Sequence, residues 1–375
     1  MIYFHIPFCK QACHYCDFHF STSMQYKDEM LQAMLKEIGI RREYLEDKNI
    51  SSIYFGGGTP SILDASDIDR LIGEVSKYFE IDSDAEITLE ANPDDLNHKK
   101  VQELRKTAVN RFSIGVQSFF EEDLLWMNRA HHADEAKSSI MRVQDAGFEN
   151  ITCDLIYGYP LLTDVKWNSN MQQLIDFEIP HISSYAMTVE KKTALNHLIQ
   201  KGKTPAMDEQ QSASQMLMLI DKLTSAGYEH YEISNFAKPN KYAKHNSNYW
   251  KGKSYLGIGP SAHSFNGNSR SWNKANNALY INGVENNELA LETEALTKND
   301  QFNEYVMTSL RTIWGINLEY VSKTFGNDFS TLLLSNLEEY KALGDINISV
   351  DKIITLTPQG KLIADQIASD LFIVD

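Results

Sequence analysis

Cysteine is scarce, with four residues in a chain of 375. Three of them, Cys9, Cys13 and Cys16, fall within one short stretch, too crowded to brace a chain of this size as a disulfide framework, which points instead to a metal in a reducing compartment. Long apolar runs are also missing. None approaches the roughly 20 residues a bilayer span needs, and the first residues show neither a basic segment with an apolar stretch nor a cleavage site. The sequence therefore predicts a cytoplasmic protein. Positive charge is in deficit: Lys and Arg total 35 against 51 for Asp and Glu, a net charge of −16. Such a chain repels phosphate backbones, which argues against general nucleic-acid binding while leaving a local basic pocket open. Internal repeats and low-complexity tracts are absent.

What remains is an ordinary globular composition, 42% hydrophobic and 23% charged, long enough for one large domain and an appendage. Short β-rich runs alternate with helical patterns as far as about Met187, the signature of βα units and a parallel sheet. Strands are expected at Ile2–Ile6, Ser52–Phe55, Glu86–Ala91, Arg111–Val116, Ile151–Ile156 and His181–Met187, with helices near 25–47, 64–80, 97–108, 134–147 and 167–178. The fold class is α/β, a partial (β/α)6-type TIM barrel, in which chemistry gathers at the C-terminal ends of the strands. Residues 1–190 form this barrel. Residues 191–298 extend and close it, with a helix near 208–226 and an Asn-, Ser- and aromatic-rich stretch from His245 to Asn277 expected to loop over the barrel mouth. Residues 299–375, helical with the strand pair Ile346–Val350 and Ile353–Leu356, suggest a small winged-helix-like C-terminal domain.

Cys9-Lys-Gln-Ala-Cys13-His-Tyr-Cys16 directly follows the first strand. Soft thiolates suit iron–sulfur clusters or zinc, and three in one loop can cap three corners of a cubane while the fourth iron stays open. The alternative is a structural zinc completed by His5, His14 or His19, although such sites usually pair separated ligands. Gly56-Gly57-Gly58-Thr59-Pro60 follows the second strand and lacks the spacing of a nucleotide-phosphate loop. Its glycines let backbone approach a ligand closely. Glu90 and Gln117 end the third and fourth strands, Asp154 lies in the fifth, and Arg129 follows a short helix. Polar groups converging on one face make a pocket. Cys153, inside a strand, reads as a buried small hydrophobe.

These elements, with Tyr3-Phe4-His5-Ile6-Pro7-Phe8-Cys9, Glu90-Ala91-Asn92-Pro93, Gly115-Val116-Gln117-Ser118, Asp154-Leu155-Ile156-Tyr157-Gly158 and Leu356-Thr357-Pro358-Gln359-Gly360, run through the whole chain. Together they resemble the radical S-adenosylmethionine (SAM) proteins related to oxygen-independent coproporphyrinogen III dehydrogenase, most closely the heme-chaperone, HemW-like branch. The resemblance implies a [4Fe–4S] cluster on Cys9, Cys13 and Cys16, whose free iron binds the amino and carboxylate groups of SAM. It implies that Gly58 and Thr59 lie against the methionine portion and Tyr15 near the adenine. Glu90, Gln117, Arg129, Asp154 and Ala186 would complete the pocket, with Tyr3 and His263 contributing. A reduced cluster would then cleave SAM to methionine and a 5′-deoxyadenosyl radical, sheltered by the barrel.

Two departures separate this chain from the dehydrogenase. That enzyme has a further cysteine where Phe18 stands here, and an extension ahead of the equivalent of Tyr3. In their place, His245-Asn246-Ser247-Asn248-Tyr249-Trp250 matches the HNxxYW motif of the chaperone branch. A histidine among aromatics suits heme iron, although the same pattern also fits a histidine that only hydrogen-bonds backbone. The resemblance thus implies heme as cargo, heme-accepting respiratory proteins as partners, a one-electron donor and cluster-dependent dimerisation. An acceptor associated with a membrane fits a chain that has no span of its own. Porphyrinogen oxidation by decarboxylation of propionates stands as the alternative, so whether the chain is an enzyme stays open.

Overall fold

Side chains of the first four strands alternate between two chemistries. Ile2, Phe4 and Ile6, then Ile53 and Phe55, Ile87 and Leu89, and Phe112, Ile114 and Val116 join one buried apolar layer. The intervening positions are polar or small: Tyr3 and His5, Ser52, Tyr54 and Gly56, Glu86, Thr88 and Glu90, Arg111, Ser113 and Gly115. Because strand side chains point alternately to opposite faces, one face packs on helices and the other makes a polar lumen. Each large apolar side chain so buried contributes about 1.5–3 kcal/mol.

The computed structural model describes residues 1–374, so Asp375, the last residue of the expected C-terminal domain, lies outside the described residues. Strands β1 (Ile2–Ile6), β2 (Asn49–Gly57), β3 (Glu80–Ala91), β4 (Arg111–Gln117), β5 (Ile151–Tyr157) and β6 (His181–Ala186) are parallel neighbours in sequence order. Helices fill the crossovers: α1 (Lys27–Ile40), α2 (Ala65–Val75), α3 (His98–Leu104), α4 (Glu121–Trp126), α5 (Ala133–Asp145) and α6 (Asp164–Asp176). This is the expected α/β arrangement. The helix expected over 25–47 ends at Ile40. β2 and β3 start earlier than expected, and their register shifts between Ile50 and Ser52.

After α7 (Ala194–Gln200) and α8 (Glu209–Ser225), β7 (Glu229–Glu232) and β8 (Asn235–Ala237) form a hairpin whose β8 pairs antiparallel with β6. Next comes α9 (Lys244–Trp250), then β9 (Leu256–Ile258), which pairs parallel with β1 and completes a nine-stranded sheet. β10 (His263–Phe265), β11 (Ser269–Asn273) and β12 (Leu291–Ala295) form a separate antiparallel sheet. The expectation that His245–Asn277 loops over the mouth needs correction. Asn248 reaches Ser51 (3.3 Å), His245 reaches Ser52 (2.9 Å) and Lys244 reaches Asp84 (2.6 Å). These partners precede the C-terminal ends of β2 and β3, so α9 plugs the opposite end of the barrel. Only the later part of the stretch nears the mouth, where Asn277 Oδ1 lies 2.7 Å from His19 Nε2.

A second apolar cluster, from Phe302 to Leu371, is built by three helices over 298–343, the C-terminal helix Ala364–Asp370 and a small sheet that includes the strand pair Ile346–Ile348 and Ile353–Leu356. It meets the barrel through Ile233 N–H donating to Arg311 O (2.9 Å) and the Lys361–His230 contact (2.9 Å).

Candidate functional site

The cysteine loop is pinned from several sides. Gly58 and Thr59 N–H donate to Ile6 and Phe8 carbonyls (2.8 and 2.7 Å), and His14 N–H donates to Met127 O (3.0 Å). Thr59 Oγ1 lies 3.4 Å from Cys9 Sγ and Arg129 Nη1 lies 3.4 Å from Cys13 Sγ. All three cysteines are half-buried free thiols. Burial raises the Cys9 thiol and pushes Cys16 up to about 12, so a bound cation would have to displace their protons. Among the described residues no three Cys, His or acidic side chains gather as around a single ion; thiolates capping separate corners of a cubane need not meet at one point. Of the histidines that could complete a zinc site, His5 has both ring nitrogens engaged, by Tyr3 and His19 O. His14 is held by Trp126 O and His19 by Asn277.

Around this loop the glycines form a cradle. A Cβ on Gly58 would stand 2.6 Å from Phe8 O and 2.8 Å from Ile6 O, and Gly57 has φ +103° with the His5 ring against it. Tyr54 OH donates to Glu90 Oε1 (2.7 Å). Burial raises the Glu90 carboxyl to about 7 and that of Asp154 to about 6. Arg129 Nη2 donates to Asn92 Oδ1 (2.7 Å) and Gly115 O (3.0 Å), and Nη1 reaches Tyr15 OH (3.4 Å). Gln117 sits at φ +65° where β4 and β5 slip register. Its Oε1 and Arg129 Nε are buried without hydrogen-bond partners, a costly state unless a ligand answers them. Ala186 closes β6 opposite Tyr157.

Below this rim lies a cavity of about 430 Å³. Tyr3, His5, Tyr54 and His263 line it, as do Arg111, Ser113, Tyr185 and His245. The His245 ring lies 5.0 Å from that of Tyr54, which is in turn 6.2 Å from Tyr3. Glu86 fixes the start of α9 by accepting N–H groups of Lys244 and His245 (both 2.9 Å). Burial pushes the His245 imidazole down to about 3, so it is neutral.

The sequence-predicted residues thus divide. Cys9, Cys13, Gly58, Thr59, Glu90, Gln117, Arg129 and Tyr15 cluster at the rim, whereas Tyr3, His263 and His245 line the cavity beneath. Cys153 is wholly buried in the apolar layer. Sequence reasoning passed over Ser52, Tyr54, Glu86 and Arg111. Their signal was the polar alternation along β2 to β4, which marks the lumen-facing positions.

A parallel barrel with a polar lumen and a CxxxCxxC loop after its first strand defines a radical SAM protein, and residues 3–174 match the Radical SAM superfamily. Residues 296–363 match the HemN C-terminal domain. The chain is 32% identical over 368 residues to heme chaperone HemW of Bacillus subtilis, covering 97% of each chain. It is 34% identical over 265 residues to heme chaperone HemW of Escherichia coli, covering 70% of this chain and 69% of that one. The chain belongs to the HemW family of radical SAM proteins. Its fold matches that of coproporphyrinogen III oxidase (HemN) from Escherichia coli, a radical SAM enzyme, with TM-score 0.85 and 25% identity over 99% of this chain and 89% of that chain. A [4Fe–4S] cluster and SAM are the cofactors this superfamily implies. Among the described residues no helix is long and apolar enough to cross a membrane.

Proposed function

We propose that this chain is a heme chaperone that takes heme into the barrel cavity, with His245 as iron ligand, and passes it to respiratory hemoproteins. One observation carries the reading. His245 is neutral and lines the cavity, its Nδ1 lies 2.9 Å from Ser52 Oγ, and its Nε2 has no hydrogen-bond partner among the described residues. With the proton on Nδ1 and donated to Ser52, the Nε2 lone pair is left for iron.

In this reading Cys9, Cys13 and Cys16 hold the [4Fe–4S] cluster. SAM lies against Gly58, Thr59, Glu90, Gln117, Arg129, Asp154 and Ala186, with Tyr3, Tyr15 and His263 at its edges. The glycine cradle and the two orphaned atoms, Gln117 Oε1 and Arg129 Nε, support that assignment. When bound, the cluster supplies one electron to the sulfonium of SAM. The chain's own part is to hold the thiolates, orient the adenosyl group and keep water out. Its further partners are a one-electron donor and a second copy of the chain, and its place is the cytoplasm.

Porphyrinogen oxidation is the second reading, favoured by the fold shared with the oxidase. Cluster-reconstituted protein, kept anaerobic with SAM and reductant, separates the two. Stable heme uptake without coproporphyrinogen III turnover supports the chaperone, and protoporphyrinogen formed over many turnovers overturns it.

A further inference from the structure

Arg111 is 2% exposed, yet its guanidinium is poorly used. Of its five N–H donors, one meets Thr88 Oγ1 (3.4 Å) and one meets Thr152 Oγ1. Nε is buried without a hydrogen-bond partner. Glu86, the nearest carboxylate, stands 3.7 Å away and is already committed to the N–H groups of Lys244 and His245. Leaving buried guanidinium donors idle is costly unless something else answers them.

The surroundings say what that partner is. Among the described residues that line the cavity Arg111 carries the one permanent charge and none is a carboxylate, in a chain whose net charge is −16. Burial holds His5 at about 4 and keeps His181 well below its ordinary value, so neither adds positive charge near neutral pH. Beyond Glu86, two further acids near the lumen are engaged elsewhere: Glu90 accepts from Tyr54 and Asp154 from Ser113. Arg111 thus has one loose counter-charge, Glu86 at 3.7 Å, and unused guanidinium donors; such a group selects a planar anion, which a carboxylate supplies.

We propose that Arg111 is the carboxylate anchor of the cavity, taking a propionate of the porphyrin whose iron His245 ligates. The inference rests on the heme-chaperone reading and adds to it why an acidic macrocycle is preferred. Glu86 links the two ends of the site, tying the His245 backbone and facing Arg111, so the iron ligand and the anion anchor share one support.

The test uses the full chain, cluster-reconstituted and anaerobic, titrated with heme and with iron protoporphyrin IX dimethyl ester in the same detergent. The unmodified protein should bind the diacid about ten-fold or more tightly than the ester, the worth of one charge-assisted contact. Equal affinities overturn the proposal without any variant. Arg111→Gln should bring the preference to within about two-fold while leaving the His245-dependent heme spectrum in place. Arg111→Lys, which keeps the charge but loses the fork, should fall between. If Arg111→Gln weakens SAM binding in equilibrium dialysis and leaves the heme preference untouched, the carboxylate is that of SAM and the propionate assignment falls. Failure of the chaperone reading shows separately, as heme affinity and spectrum unchanged by His245→Ala.

Discussion

Ser52 Oγ and His245 Nδ1 lie 2.9 Å apart across 193 positions of sequence, and this contact orients the imidazole within the cavity. A partner on the second nitrogen raises ligand basicity and fixes the ring, and its loss typically costs a metal site ten- to a hundred-fold in affinity. Ser52→Ala should therefore weaken heme binding about ten-fold without removing the ligand, so the Soret maximum stays put. His245→Ala should shift that maximum and weaken binding further. Optical titration of both variants checks this; identical curves for all three proteins would return His245 to a packing role.

Each cysteine of the loop should be indispensable on its own. Three thiolates hold the cluster, and an alcohol oxygen is a poor substitute for a soft ligand. Cys9→Ser, Cys13→Ser and Cys16→Ser, each reconstituted separately, should lose the visible charge-transfer absorbance, while Cys153→Ser, deep in the apolar layer, should keep it. Retention of the absorbance in all three loop variants sinks the assignment.

The strands and the cysteine loop were legible because their signals are local: hydrophobic runs, and three thiols placed at a strand end. The position of His245 was not. Its hexapeptide motif has the same chemistry at either end of a barrel, and only the contacts with Ser52 and Glu86, long-range in sequence, put it opposite the mouth. β9 escaped notice because three residues flanked by Gly and aromatic side chains are too short for a periodic signal. Arg111 read as the first residue of a strand. It could have been recognised from Arg111, Ser113 and Gly115 alternating with Phe112, Ile114 and Val116, since residues two apart share a face.

Glu37 is a buried structural charge that stability measurements should expose. It accepts from Gly259 N–H (2.9 Å), Asn273 Nδ2 (2.7 Å) and Tyr280 OH (2.6 Å), and faces Arg41 at 3.6 Å. These bonds fasten α1 to the segment that follows β9. Glu37→Ala leaves Gly259 N–H and Tyr280 OH without this acceptor and removes the buried counter-charge of Arg41, which keeps only the neutral acceptors Gly257 O and Ser271 Oγ, and should cost about 3–5 kcal/mol. Urea unfolding gives the value, and hydrogen exchange should show residues 256–281 opening first. A cost below about 1 kcal/mol would mean that water replaces the carboxylate.

Glu90 gives a pH dependence whose sign can be worked out. Burial holds its carboxyl at about 7 in the folded chain, with Asp154 adding to the effect and the Tyr54 hydrogen bond opposing it, whereas an unfolded glutamate titrates near 4.3. Between these values the folded chain binds the extra proton, so rising pH removes stability across that window. Several buried histidines act oppositely at lower pH: His5, held at about 4, and His131 and His230, held at about 3, favour the fold as pH rises toward 6.5. The whole-protein profile mixes both trends, so the informative quantity is the difference between Glu90→Gln and the unmodified chain, both free of cluster. That difference should be constant below about pH 4.5, grow in favour of the variant between 4.5 and 7, and level off above. A difference that stays flat from pH 4 to 8 would mean that the carboxyl is hydrated in the folded state, and its Tyr54 hydrogen bond would then be one of several solvent-exchanging contacts.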